Sequence, residues 1–398
     1  MKNQTKYYIS QVLYGIILLT ASGMLVQTFL LEKGISERYV AIYNAIMQAA
    51  QVIVMLIFSE RADKYKNVIK LNAYVFLMFI PLALALLFFS LFKIENAPLI
   101  YGVLAVLGII SSICLGINNI VSYKVPYNII DMKDYGKLIA VSGLVSGVVC
   151  ALISFFISLM QSKISFFTVM IIVYVFTLFI IGAFVLVTRS FKKEYSPEIK
   201  DESVNISIFK YKPFYMLIIP NLFRGIVLGA VGMAVTIGYA VDLIDGKGAT
   251  ILMIITNVMT VLGSVIYSKI CNVIGDKYVL LASSIMIFLS LPLMVMGNTM
   301  LFFVAYGVLY LFVIIVNYSV PVTVTKLVDY KVIGKYSGYR MLVNTLGITV
   351  AGVVCVPMIE YVGALWAMTI LGALQLLFGV GYYLYITFER RLNNENII

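Results

Sequence analysis

The chain is a succession of apolar runs, each roughly 20 residues long and each closed by a short polar segment. A helix of about 20 apolar residues covers the ~30 Å of a bilayer's hydrocarbon core. The runs are continuous rather than alternating, and only helices or closed barrels satisfy their backbone groups in lipid, so they read as helices. Composition excludes a soluble domain. The 398 residues are 62% hydrophobic and 12% charged, against about 45–50% apolar and about 25% charged in soluble proteins.

The pattern predicts an all-α integral membrane protein with twelve transmembrane helices in two six-helix halves. The first half, 1–188, holds spans near 7–31, 38–59, 68–92, 98–123, 138–160 and 165–188. The second, 214–398, holds spans near 214–241, 249–268, 278–297, 300–325, 337–358 and 363–387. Between them, 189–213 reads as a solvated cytoplasmic linker rich in Lys and Glu. The opening run extends to Leu31, too long for a signal peptide, and reads as the first span.

The net charge of +11 does not mark a nucleic-acid binder, because the basic residues sit in short loops between apolar runs. Cys114, Cys150, Cys271 and Cys355 are scattered, with neither metal-ligand spacing nor a disulfide framework. With the N-terminus inside, Lys33, Arg38, Lys93, Lys163 and Lys247 fall outside and Arg224 and Arg340 within spans; the rest of the 29 Lys and Arg are cytoplasmic. That asymmetry predicts that both termini are cytoplasmic.

The halves repeat. Asn44 precedes Asp63-Lys64-Tyr65 by the same interval that separates Asn257 from Asp276-Lys277-Tyr278. After the fourth span of each half, Asp131, Lys133, Gly136 and Lys137 match Asp329, Lys331, Gly334 and Lys335, with Asn119 and Asn317 at equal distances before the aspartates. Two matches at equivalent topological positions argue for a duplicated six-helix unit.

Twelve spans in two such repeats, with a charged central loop, resemble the major facilitator superfamily (MFS) of secondary transporters. Its motif between the second and third spans is matched by Asp63 and Lys64, while Ser59 and Lys66 stand where the family has glycine. The second copy keeps Asp276 and Lys277. The basic loops also resemble, more loosely, those of sugar-cation symporters of the melibiose permease type, although the aspartates that bind the cation there have no counterpart in this second span. The resemblance implies a twelve-helix transporter working by alternating access. It implies that Asp63 with Lys64, and Asp276 with Lys277, hold cytoplasmic helix ends together when that gate shuts. A solvent-exposed pair contributes only about 0–1 kcal/mol, so such a role requires burial in the closed gate.

Arg224 is the most informative single residue. It lies about eleven residues, roughly 16 Å, into the seventh span, near the bilayer midplane. A guanidinium stays charged there at a cost of at least ~2.5–3.5 kcal/mol. Its functional reading is a counter-charge for an anionic or polyhydroxylated substrate, with Asn221 one turn earlier sharing the ligand or orienting the guanidinium; its bland reading is a structural arginine. Gly225, Gly229 and Gly232 would let a neighbouring helix approach. Arg340, about five residues into the eleventh span, is expected to snorkel to the cytoplasmic edge and serve a gate. Asn44, Gln48 and Gln51 share a face of the second span, Asn257, Thr260, Ser264 and Ser268 one of the eighth, and Gln11 and Tyr14 one of the first. These neutral donors and acceptors suit a hydroxylated or carboxylated solute, or equally hydrogen bonds between helices.

All 18 acidic residues fall in loops or near span ends, and the chain has no histidine. A proton-coupled carrier usually needs a buried group that titrates, so uniport, exchange or an unusual coupling is expected. No nucleophile–base pair, metal cluster or paired carboxylates stand out, so neither an enzyme nor a cofactor is expected. The expected partners are a small-molecule substrate and the lipid bilayer, not nucleic acid, and the expected form is a monomer in a bacterial inner membrane. The leading substrate is an organic anion or acidic sugar. A neutral sugar or nucleoside, for which 28 tyrosines offer stacking faces, a drug, or a lipid headgroup moved by a flippase are the alternatives.

Overall fold

The structure, a computed structural model, describes residues 2–59, 67–92, 94, 96–121, 125, 129, 135–192, 212–270, 273–327 and 330–395. The described elements are helical. The first span is α1 (Asn3–Ala21) and α2 (Met24–Glu32), followed by α3 (Glu37–Ser59). The third is α4 (Val68–Val75), a 3-10 turn (Phe76–Phe79) and α5 (Ile80–Leu91); α6 (Ala97–Val121), α7 (Tyr135–Gln161) and α8 (Phe166–Arg189) complete the first half. In the second half α9 (Lys212–Gly232) and α10 (Ala234–Ala240) make one span. They are followed by α11 (Gly246–Ile270), α12 (Asp276–Leu293), α13 (Thr299–Leu327), α14 (Tyr330–Val362) and α15 (Ala364–Glu395). Eleven described spans are long and apolar enough to cross a bilayer, and α9–α10, bent by 63°, makes the twelfth. This is the twelve-helix fold expected from the sequence.

The interruptions have local causes. The chain leaves α1 at Ser22, and Gly23 takes φ +75°, a left-handed conformation that a side chain would resist. In the third span Pro81 lacks an N–H, and the 3-10 turn ahead of α5 places it in the first turn of a helix, where no donor is missed. The seventh span breaks at Met233, between Gly232 and Ala234. Thus the first span of each half is broken in its C-terminal part, and neither break is visible as a gap in the apolar run.

By packing, the helices form two compact units: Met1–Asp201 with Gly232–Val261, and Glu202–Val231 with Leu262–Ile398. In the first, α1 lies against α7 and α8, α3 against α6, and α5 against α8. Phe29, Tyr174, Phe76, Phe79 and Phe184 are buried among them. The break in the seventh span is held from α2. Gln27 Nε2 donates to the Gly232 carbonyl at 2.9 Å, and the Thr236 hydroxyl donates to Gln27 Oε1 at 3.2 Å. One amide therefore serves both sides of the bend and satisfies a carbonyl freed by it.

In the second unit α12 packs against α13 and α15. The contact of α9 with α14 is backbone to backbone: a Cβ on Gly225 would meet the Asn344 carbonyl, and one on Gly347 would meet the Leu222 carbonyl and the Ile226 nitrogen. Small residues let membrane helices approach this closely, and dispersion and polar contacts replace the hydrophobic effect as the driving force. Large apolar side chains such as Phe179 and Trp366 are left exposed, as expected of surfaces that hydrocarbon covers.

Candidate substrate site

The polar centre of the second unit is built on α9. Arg224 is 5% exposed, and its Nη2 donates to Asn317 Oδ1 on α13. The guanidinium carbon lies 5.7 Å from the centroid of Phe378 on α15, within cation–π range. One turn earlier, Asn221 is fully buried, and its Nδ2 donates to the Tyr382 hydroxyl at 2.7 Å. Phe378 and Tyr382 are one turn apart on α15, with ring centroids at 4.7 Å. Side chains of α13 and α15 therefore converge on two polar residues of α9. Those two are neighbours on one helix face, as the three-residue interval between them requires.

Arg340 on α14 departs from the expected snorkelling arginine. Its helix starts at Tyr330, ahead of the apolar span Gly338–Val362, whose start falls near the expected 337. Its side chain is 5% exposed, so it is buried in protein instead of reaching the aqueous edge. Among the described residues Nη2 reaches only the Met341 sulfur, at 3.9 Å, and Nε has no hydrogen-bond partner. One turn on, Asn344 is 8% exposed with an unpartnered Oδ1. The register of α9 and α14 follows from their contacts: Gly225 faces Asn344, and Gly229 faces Ile348 and Ala351. The two helices run parallel, and Arg340 stands level with Asn221, about one turn nearer the helix starts than Arg224.

The remaining amide and hydroxyl candidates lie in the first unit. Asn257 Nδ2 donates to Ser154 Oγ at 3.1 Å and to the Met253 carbonyl at 2.8 Å. The Thr260 hydroxyl donates to the Thr256 carbonyl one turn back. Gln51 is buried, with its backbone against Gly116 of α6, whereas Asn44 and Gln48 are partly buried and Asn44 Nδ2 has no hydrogen-bond partner. Gln11 offers its carbonyl to the Ser146 hydroxyl, and Tyr14 meets Phe76 edge-on at 5.6 Å. The eighth-span stripe continues into the second unit, where Ser264 bonds the Tyr318 hydroxyl at 3.0 Å.

Of the gating candidates, Asp63 and Lys64 lie outside the described residues. Asp276 opens the first turn of α12, where a carboxylate complements the helix dipole. Lys277 donates to the Thr387 hydroxyl at 3.3 Å and lies over the rings of Tyr278 and Tyr383 at 4.9 and 5.3 Å. It ties the start of α12 to α15.

Sequence reading did not foresee Tyr382, Phe378, Asn344 or Gln27. Asn317 carried a signal, its recurrence with Asn119, but nothing in that recurrence names Arg224 as its partner.

The fold has solved counterparts. A nucleoside transporter, NupG, solved as a point mutant, superposes with a TM-score of 0.69 at 16% identity, over 96% of this chain and 99% of that one. A D-xylose-proton symporter superposes with a TM-score of 0.73 at 14% identity, over 96% of each chain. No curated protein sequence matches the chain. The family model described as Major Facilitator Superfamily matches residues 7–352. The chain therefore belongs to the Major Facilitator Superfamily.

Proposed function

We propose that this transporter carries a small organic anion, a carboxylate or acidic sugar, by alternating access, with Arg224 as the central contact. That it is a membrane transporter and not an enzyme follows from its family; the nature of its cargo is our reading. One observation carries it: among the described residues, the charged side chains that are buried are Arg224 and Arg340, both cationic. Neither can neutralise itself by losing a proton at physiological pH. A solute of opposite sign gains most from such a site, and Asn317 on Arg224, with the Asn221–Tyr382 pair one turn away, supplies neutral donors and acceptors that suit hydroxyl groups.

Uniport or exchange fits the same charge pattern, because an anion can be exchanged on a fixed cation without a titrating group. We place the protein as a monomer in a bacterial inner membrane, with both termini cytoplasmic on the distribution of its loop charges. A neutral sugar or nucleoside is the second reading, favoured by the named cargo of the two structural counterparts.

The test is a thermal-shift panel of the purified protein against organic acids, sugars and cationic drugs. A ligand at 100 times its Kd adds about 2.7 kcal/mol of stability. The stabilising class is expected to be the acids, and Arg224→Gln is expected to lose that response while unfolding cooperatively. Unchanged affinity for acids in Arg224→Gln, together with normal transport, overturns the reading.

A further inference from the structure

The second buried arginine is not accounted for by a single-charge substrate. Arg340 has no hydrogen-bonding or charged partner among the described residues beyond the weak contact with the Met341 sulfur. It shares a face of α14 with Asn344, whose Oδ1 is likewise unpartnered. That face is turned onto α9, because the Asn344 carbonyl is the atom a Cβ on Gly225 would strike. From the register of the two helices, the Cα atoms of Arg224 and Arg340 are offset by about 4–5 Å along the axes, on helices roughly 8 Å apart. Like charges on adjacent helices repel each other in a low-dielectric region. Each also keeps its charge at any physiological pH.

We infer that the transporter's cargo is a dianion, a short dicarboxylate with one carboxylate on Arg224 and the other on Arg340, and a hydroxyl donor for Asn344 Oδ1 where the substrate has one. The inference rests on the anion reading of Arg224 and adds a second point of attachment. The two carboxylates of a four- or five-carbon diacid fit between guanidinium groups carried on long side chains from these two backbones. Binding relieves the repulsion between the arginines and satisfies Arg340 Nε, an effect no monoanion reproduces. Arg340 is thereby a specificity-determining residue, and its conversion to an uncharged side chain alters which anions bind more than whether any binds.

The experiment compares succinate and glutarate with butyrate, by calorimetry or thermal shift on the full-length protein in detergent or nanodiscs. The wild type is expected to bind the better dicarboxylate at least ~10-fold more tightly than butyrate. Arg340→Gln is expected to reduce that ratio to within about twofold of unity. Arg340→Lys, which keeps the charge if Gln disturbs folding, is expected to preserve a dicarboxylate preference. Arg224→Gln is expected to weaken all three ligands. Butyrate binding without a dicarboxylate preference overturns the two-point site and leaves the anion reading of Arg224 standing, and so does a preference that survives Arg340→Gln. Failure of all three acids to bind the wild type overturns both.

Discussion

Asn317, on the tenth span, accepts a hydrogen bond from Arg224 on the seventh, so the guanidinium at the centre of the second unit is held by a neutral amide. The amide fixes the direction of the charge without cancelling it. That choice is what a site for a transported anion requires, since a carboxylate at 317 would fill the site permanently. Phe378, near the guanidinium, adds a ring face that attracts a cation and carries no charge of its own.

Asn317→Asp is the sharpest test of that relationship. The substitution is nearly isosteric and gives Arg224 an internal counter-ion. Anion affinity should fall at least ~10-fold while the unfolding temperature holds or rises, as read by binding and thermal unfolding on the same preparation. Asn317→Leu should instead lower stability by about 1.5–3 kcal/mol, the range for a hydrogen bond to a charged group, because the guanidinium loses its acceptor. If Asn317→Asp binds anions as the wild type does, Arg224 does not contact the substrate.

Gly225→Ala should be among the most damaging single methyl additions in the chain. Its Cβ would press on the Asn344 carbonyl, a backbone atom that cannot rotate away, so α14 must shift as a body. Overpacking of this kind costs about 1–3 kcal/mol, and the shift also displaces Arg340. Gly102→Ala on α6 is the control: nothing lies within 4 Å of its added carbon, and alanine favours a helix by about 0.5–1 kcal/mol over glycine. Thermal unfolding of the two variants should therefore move in opposite directions.

Gln27→Leu should destabilise the bent seventh span by about 1–3 kcal/mol, the desolvation penalty of a buried group left unsatisfied. The leucine removes both the donor to the Gly232 carbonyl and the acceptor for the Thr236 hydroxyl, at a position that is 2% exposed. Gln27→Asn or Gln27→Glu keeps part of the pairing and should cost less. Hydrogen exchange at the amides of α10 gives a local readout, and faster exchange in the leucine variant is expected.

The spans and the family were legible because lipid allows so few solutions: an apolar run of the right length has almost no alternative to a membrane helix. The breaks at Gly23 and Met233 were hidden because hydropathy runs through them unchanged; only the positive φ at Gly23 and the Gln27 contact reveal them. Arg224 was identifiable as a charge that apolar sequence cannot explain. Its partners were not, since Asn317 lies 93 residues away and Tyr382 stood among 28 tyrosines with nothing to distinguish it. The burial of Arg340 was not legible, because sequence does not show which neighbouring helices close over a residue near the start of an apolar span.

Transport should proceed without coupled proton movement. Among the described residues the buried charges are arginines, which stay protonated throughout the physiological range, and the chain contains no histidine to titrate near neutrality. A carrier working on fixed charges should show a nearly flat rate for a fully ionised dicarboxylate between about pH 7 and pH 8, above the carboxylate range of about 4. It should also be insensitive to a proton gradient imposed across the vesicle, while counterflow with unlabelled substrate on the far side accelerates uptake. The decisive measurement uses reconstituted vesicles carrying an internal pH indicator and supplied with succinate. Substrate-dependent acidification that persists when the membrane potential is clamped would mean that a proton travels with the anion. In that case a carboxylate at the end of a span, rather than the arginine pair, sets the coupling.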